Sequence, residues 1–442
     1  MLLAVVLPMT IQNLISSAVN MADVVMLGYV SQSALSASSL ANQIQFILFL
    51  FYSGVSSGII IMAAQYWGKG DRKTIGILFG MALKFSMVVS LVFGLGAFLA
   101  PGFLMHIFTN DPELIETGAV YLRIIGISYI FMGFTQVYEC IIKSIERVKT
   151  ATTIAAVTLF INIFLNATFI FGLFGAPKLG ILGVAIATLI SRIIEFVICL
   201  VDGIRQKDIE ISRQTLSKWS NALFADFKKY SLPALGNEFL WGAGFSCYSI
   251  VLGHMGSDIV AANSIISSVR DLSSVFVFGL AYGSAIVIGK EIGKGNTDEI
   301  MADGRRVIKL TFWSSLAAGV LIILIEPIIF KFTSLSSAAQ GYLGQMVYIN
   351  CVYIMGMGLN TSMICGLFRS GGDARYGFIL DTICMWVISV PCAFLTAFLF
   401  HFPPVLVYVV TCMDEFIKLP INLIHFKKGK WIKNITRSED EI

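Results

Sequence analysis

The sequence predicts an all-α integral membrane protein with twelve transmembrane helices, arranged as two homologous six-helix lobes around a central cavity. Composition comes first: 57% of the 442 residues are hydrophobic and 13% charged, with a mean hydropathy of +0.82, whereas soluble domains carry about 25% charged residues. Apolar runs of about 20 residues, each long enough to cross roughly 30 Å of hydrocarbon, then recur between short polar breaks. Finally, the chain repeats itself. Pro8, Gly28, Ala37, Gly54, Gly58, Gly68, Lys69, Gly70, Gly133 and Cys140 reappear 225 residues later as Pro233, Gly253, Ala262, Gly279, Gly283, Gly293, Lys294, Gly295, Gly358 and Cys365. Two homologous bundles in one chain are how many secondary transporters build a cavity that opens to either side in turn.

Taken in order, the spans of the first lobe (1–203) are expected at 2–28, 36–66, 77–103, 114–142, 151–174 and 180–203. The first carries Pro8 and ends at Gly28, and the second and third are joined by the tight turn Gly68-Lys69-Gly70-Asp71. A polar segment, 204–229, reads as a cytoplasmic connector lying along the membrane surface through Trp219, Leu223 and Phe227. The second lobe (230–426) follows with spans at 230–253, 259–289, 306–332, 338–368, 376–400 and 404–426, and its second and third spans meet at Gly293-Lys294-Gly295-Asn296. Residues 427–442 read as a cytoplasmic tail, an interfacial anchor and then a disordered end. The glycine turns are not phosphate loops, because a P-loop needs GxxxxGK[ST] between a strand and a helix. An outer-membrane barrel is excluded, since no segment alternates apolar and polar residues for long. No cleavable leader is expected, and the first helix, which begins almost at Met1 without a basic leader, is expected to stay in a chain whose start is trimmed or unusually short.

Basic residues set the orientation. One set of loops holds Lys69, Arg72, Lys73, then Lys143, Arg147, Lys149, the connector, Lys290, Lys294, Arg305, Arg306, Lys309, Arg369, Arg375 and the tail, whereas the opposite loops hold Lys178 and Lys331. Both termini are therefore expected in the cytoplasm, with the protein multi-pass in the inner membrane. The net charge of +4 faces lipid headgroups and cytosol rather than nucleic acid. Eight cysteines lie within or at the ends of apolar spans with no CxxC pair, and four histidines, His106, His254, His401 and His425, have no metal or triad spacing. No enzyme, redox centre or cofactor is expected.

Charged and strongly polar side chains inside a bilayer need a partner or a function. Asp23 lies five residues before Gly28; Asn162 and Asn166 share one face of the fifth helix, six residues before Gly172 in the case of Asn166; Thr188 follows Gly183 by five. At about 1.5 Å per residue, Asp23, Asn166 and Thr188 reach a similar depth, roughly 7–9 Å below the outer helix ends. One carboxylate, two amide oxygens and a hydroxyl form an oxygen set suited to Na⁺, and Asp23 alone is suited to a proton. The competing reading is ordinary interhelical hydrogen bonding. Other embedded charges have near neighbours of opposite sign: Arg192 with Glu195, Arg270 beside Asp271, and Asp414 with Lys418. These read as structural ion pairs, while Arg123, Glu139 and Glu326 have no evident partner.

On these residues the chain resembles the multidrug and toxic compound extrusion (MATE) family. The resemblance lies in Pro8…Asp23-Val-Val-Met-Leu-Gly28, the Gly68-Lys69-Gly70-Asp71 turn, Asn162/Asn166, Gly180-Ile-Leu-Gly183-Val-Ala-Ile-Ala-Thr188 and Phe368-Arg369-Ser370-Gly371-Gly372-Asp373, and it covers nearly the whole chain. It implies twelve helices in two lobes, drug/cation antiport driven by Na⁺ or H⁺, and a first-lobe cation site at Asp23, Asn162, Asn166 and Thr188. In one branch of the family the Asn166 position is Asp, and Asn there resembles the sodium-linked branch. Some members are thought to use a second-lobe acidic pair on the seventh and tenth helices. Glu238 fits the seventh, but Gly358 stands where the tenth-helix acid would be, so Asp381 on the eleventh is the substitute carboxylate. The competing reading of Asp381 is a helix-end residue bonded near Arg369 or Arg375.

The expected activity is therefore export of amphipathic organic cations in exchange for Na⁺ or H⁺ by a monomer among membrane lipids, with Glu238 or Asp23 attracting the cation. Seventeen Met and 34 Phe suit a soft cavity. The rival is a flippase for a lipid-linked precursor on the same two-lobe plan, which calls for basic residues in the cavity to hold pyrophosphate.

Overall fold

The computed structural model describes the backbone of residues 2–28, 30–295, 297–332 and 335–442, and the side chains of these except 2–4, 17–25, 28, 297–298, 328–329, 331–332 and 439. Among the described residues every regular element is helical. The first repeat comprises α1 (Leu2–Gly28), α2 (Gln32–Lys69), α3 (Arg72–Leu99), the short α4 (Pro101–His106), α5 (Pro112–Ser144), α6 (Val148–Phe171) and α7 (Ile181–Arg205). After the short α8 (Arg213–Ser217) come α9 (Asn221–Gly253), α10 (Ser257–Lys294), α11 (Thr297–Phe332) and α12 (Ser337–Thr361), the last continuing as a π-helical segment, Ser362–Phe368. Finally α13 (Ala374–Thr382), α14 (Val390–Phe394) and α15 (Pro404–Lys428) complete the second repeat.

Nine helices among the described residues are long and apolar enough to cross a membrane. Helices α1, α9 and α15, of 27, 33 and 25 residues, stand where the first, seventh and twelfth spans are expected. The chain is thus a multi-pass membrane protein. The glycine turns recur as the repeat requires: Gly70 and Gly295 both close their helices in the left-handed region, with φ of 82° and 83°, where a side chain would be strained. Asp71 then caps α3 by accepting the Thr74 amide at 2.9 Å. The eleventh expected span is less regular than its hydropathy suggests. Pro391 has no N–H to donate one turn back, and π-helical turns, Ile383–Ser389 and Leu395–Leu399, flank it on either side.

The chain forms two compact units. One contains Met1–Thr10 and Leu232–Thr436, the other Ile11–Ser231 and Arg437–Ile442. Both boundaries near the proline-bearing helices cut through a helix, α1 after Thr10 and α9 after Ser231. The duplication is visible in packing. In one unit a Cβ on Gly58 would stand 1.9 Å from Ser231 Oγ, and in the other a Cβ on Gly283 would stand 2.7 Å from Val6 Cγ2. Both members of the second pair are related to the first by the same 225-residue offset. A Cβ on Gly133 would likewise meet Ser90 Oγ at 2.1 Å, and one on Gly358 would meet Ser315 Oγ at 2.2 Å. Such close helix approaches through glycine and serine are the usual glue of membrane bundles, where the hydrophobic effect cannot drive association.

Two peripheral segments are more ordered than their sequence suggests. The connector seats on α3: a Cβ at Gly76 would strike the Glu210 carbonyl at 2.2 Å, and one at Gly80 would strike Leu216 Cα at 2.7 Å. Leu223 and Phe227 are buried, while Trp219 stays exposed with Lys84 5.9 Å above its ring. The tail is not an anchor with a loose end. Trp431 is fully buried against Phe368 and Phe426, Lys433 bonds Asp373 at 2.9 Å, and Arg437 pairs with Asp226 through two nitrogens. Apolar area and ion pairing thereby offset the ordering entropy that a polar tail alone would not recover.

Candidate functional site

In the unit built around α2 to α7, the fifth-span pair lies on one face of α6, and Asn166 and Asn162 are both buried. Asn166 Nδ2 donates to Asn162 Oδ1 at 3.1 Å, and Asn162 Nδ2 donates to Thr188 Oγ1 of α7 at 3.4 Å. The helices come this close because α7 presents Gly183, where a Cβ would sit 2.7 Å from Phe169 Cβ. Three of the four residues expected to form the first-lobe set are therefore one hydrogen-bonded chain. The fourth, Asp23, lies on α1, and its side chain is outside the described residues.

Nearby charges in this unit are paired. Arg192 holds Glu195 at 2.7 Å, as its i, i+3 spacing suggests. Glu139, for which the sequence offered no partner, is held by Lys143 one turn on at 3.0 Å and by Gln12 at 3.2 Å. The i, i+4 spacing to Lys143 was the available signal; the Gln12 contact, 127 residues away, had none.

The other unit differs from expectation at four points. Glu238 does not stand as an isolated acid: Arg369, itself buried, reaches its Oε1 with two nitrogens at 3.3 and 3.4 Å. Its attraction for a cationic ligand is offset accordingly. The ion pair of Asp381 is with Lys418, at 3.1 Å, rather than with Arg369 or Arg375 as the competing reading had it. Lys418 is not the partner of Asp414 alone, since besides its ion pair with Asp414 at 3.2 Å it donates to Glu415 Oε1 at 2.8 Å. The spacing 414, 415, 418 placed Glu415 as near to Lys418 as Asp414, because i, i+3 and i, i+4 share a helix face. Arg270 is also not engaged mainly with Asp271: adjacent helical residues point apart, and its guanidinium lies 5.2 Å from the Phe245 ring and 5.7 Å from that of Tyr353.

Two asparagines missed in the sequence extend this second cluster. Asn360 Nδ2 donates to Glu415 Oε2 at 2.8 Å, and Asn422 Nδ2 donates to Asn360 Oδ1 at 2.8 Å. Asn360 lies about two helical turns before Phe368-Arg369, close to the tenth-helix position where the acid is lacking. A small cavity of about 10 Å³, close to the volume one water molecule needs, is lined by Asn237, Trp241, Asp381, Met385, Trp386 and Lys418.

The MatE family profile matches residues 8–168 and 233–395, two stretches whose starts differ by the same 225 residues as the repeat. Among curated relatives, the chain is 24% identical over 452 residues to a probable multidrug resistance protein, NorM, of Thermotoga maritima, covering 100% of this chain and 95% of that protein. It is 23% identical to the multidrug resistance protein PmpM of Pseudomonas aeruginosa, covering 88% and 82%. Among solved structures, a multidrug resistance MATE family transporter of the MOP superfamily in its outward-facing conformation superposes with a TM-score of 0.87 at 18% identity, over 97% of this chain and 96% of that one. A MOP superfamily transporter from Pyrococcus furiosus, described by the reversed polarity of its binding pocket, gives 0.86 at 18% identity and the same coverage.

Proposed function

The chain belongs to the MatE family of transporters, and on that premise we propose that it is an inner-membrane antiporter exporting amphipathic organic cations by alternating access, driven by Na⁺ or H⁺. The coupling ion is taken by Asp23 together with Asn162, Asn166 and Thr188. The observation that carries this reading is the chain from the buried Asn166 and Asn162 to the half-buried Thr188, bridging α6 and α7. The buried amides have little else to satisfy them inside apolar spans, so they hold one another, and the same groups offer oxygen ligands to an ion that enters. Coupling is by competition. An ion shifts the conformational equilibrium only as far as it binds one state better than the other, and occupation of the α1 carboxylate weakens the drug-binding state.

The flippase alternative asks for free basic groups to hold pyrophosphate. In the second unit Arg369 and Lys418 are basic, but Glu238, Asp381, Asp414 and Glu415 already engage them. That balance favours a cationic cargo. The test is ethidium binding to the purified protein, titrated with Na⁺ and, separately, with acid, for wild type and Asp23→Asn. Competition by one ion in wild type and its loss in Asp23→Asn are expected. Undiminished competition in Asp23→Asn overturns the coupling assignment.

A further inference from the structure

We propose that the connector, α3 and the start of α9 form a binding site for one anionic phospholipid, its phosphate held by Lys84 and Lys228 and its acyl chain laid along an exposed stripe of α3. The site uses none of the residues assigned to ion coupling, and it does not rest on the antiport reading.

The argument begins with two cations that the protein leaves unbalanced. Lys84 on α3 and Lys228 on α9 are exposed, and among the described residues neither pairs with a carboxylate. Lys84 Nζ donates to the Ser217 carbonyl at 3.0 Å and stands 5.9 Å from the centre of the Trp219 ring. Lys228 Nζ stands 4.8 Å from the centre of the Phe224 ring. The two rings touch, with centroids 4.6 Å apart, so the ammoniums bracket one aromatic pair. Asp226, the carboxylate closest to Lys228 in sequence, is engaged by two nitrogens of Arg437. An ammonium has three N–H donors. Lys84 commits one to Ser217, and Lys228 has no hydrogen-bond acceptor among the described residues, which leaves donors for an anion from outside.

The aromatic pair sets the depth. Trp219 is 46% exposed, and its indole N–H donates to Asn221 Oδ1 at 3.0 Å. A ring with a satisfied polar edge and an open apolar face marks the headgroup level of a bilayer. From that level α3 presents Val88, Val92, Leu95 and Leu99, all exposed, on the face that carries Lys84. From Lys84 to Leu95 the helix rises about 16 Å, half of the roughly 30 Å of hydrocarbon in a bilayer. A basic head above an apolar stripe one leaflet long matches a phospholipid, whereas a free phosphate has no use for the stripe.

The groups are held in place before a lipid arrives. Ser212 and Thr215 cap α8 reciprocally, and Thr215 Oγ1 donates to the Glu210 carbonyl at 2.8 Å. Gly76 and Gly80 let this backbone sit directly on α3, and the Phe85 and Phe227 rings, 6.4 Å apart, join α3 to α9. Binding therefore loses little further ordering entropy. Net charge selects the headgroup. A zwitterionic lipid brings its own ammonium against two uncompensated lysines, while a lipid of net negative charge balances one of them.

The test is quenching of tryptophan fluorescence in the full-length protein by acyl-brominated lipids in phosphatidylcholine vesicles. Brominated phosphatidylglycerol is compared with brominated phosphatidylcholine at equal mole fraction, and the Trp219 component is the part lost in Trp219→Phe. That component is expected to favour phosphatidylglycerol by about fivefold for each lysine engaged. The preference should vanish when Lys84→Gln and Lys228→Gln are combined, and should survive both Lys84→Arg and Lys430→Gln on the tail. If Lys84→Gln unseats the connector, Lys228→Gln decides alone, with an expected fall of about fivefold. Equal quenching by the two lipids in wild type, or a preference unchanged in Lys228→Gln, overturns the proposal. So does an equal loss in Lys430→Gln, which would make the attraction one of diffuse surface charge. Displacement by inorganic phosphate at constant ionic strength overturns it too, as it would make this a site for free phosphate.

Discussion

At the scale of single residues, the two units use opposite means to keep polar groups inside apolar helices. Asn162, Asn166 and Thr188 are neutral and satisfy one another by short-range geometry, so losing one bond is a modest event. Asn166→Ala removes the 3.1 Å bond, worth about 1 kcal/mol, and is expected to raise the ion concentration that half-drives transport roughly fivefold. Thr188→Val removes a longer bond, 3.4 Å, with an expected change of about twofold; no change in either variant would remove Asn166 and Thr188 from the ion site. Lys418 is different in kind. Lys418→Met leaves three mutually repelling buried carboxylates, and the expected destabilisation is about 3–5 kcal/mol, read as a fall in the thermal unfolding midpoint that Glu415→Gln in the same chain partly restores. The sequence made the first set legible because residues on two helices shared a computed depth. It made the second only half legible: Asp414 and Lys418 stood in view, but Asp381 joins them from another helix, and nothing in local spacing encodes a contact across 37 positions.

At the scale of elements, the repeat predicts equal contacts, and the structure separates what equal contacts cost. Gly133 and Gly358 are equivalent by offset, and each faces a serine oxygen at about the same distance. Their serines are not equivalent. Ser90 Oγ is bonded to Tyr52 Oη at 2.7 Å and to the Ser86 carbonyl at 2.6 Å, whereas Ser315 Oγ has no partner among the described residues. Gly133→Ala must therefore displace a working hydrogen-bond centre, and Gly358→Ala only a free rotor. Overpacking costs of about 2–3 and 1 kcal/mol respectively are expected, measurable as two different shifts in unfolding midpoint. Helix positions were legible from hydropathy to within a few residues except at the starts of α9 (Asn221) and α11 (Thr297), which begin well before the expected 230 and 306 because their first turns are polar, and the glycine turns at Gly70 and Gly295 were legible from composition. The π-helical turns around Pro391 were not, because hydropathy averages over a window and does not register which carbonyl has lost its donor.

At the scale of the whole molecule, the sequence repeat gave the two lobes, but contacts divide the chain inside α1 and α9 rather than at the connector. Covalent order and packing differ here because a helix bearing Pro8 or Pro233 packs its two halves on different surroundings, a property of tertiary contact that linear hydropathy does not carry. The tail departs from its sequence pattern for a related reason: Trp431 looks interfacial among lysines, yet it is buried against Phe368 and Phe426. Trp431→Ala is expected to cost about 3–5 kcal/mol, seen as a lowered unfolding midpoint, where a surface anchor would change it little. The central claim, that this chain exchanges an organic cation for Na⁺ or H⁺, is tested most directly by ethidium uptake into proteoliposomes under an imposed Na⁺ or H⁺ gradient. Uptake driven by one of the two gradients, and abolished when it is collapsed, is the predicted result. Uptake indifferent to both gradients, with translocation of a labelled lipid-linked precursor in the same vesicles, would contradict it.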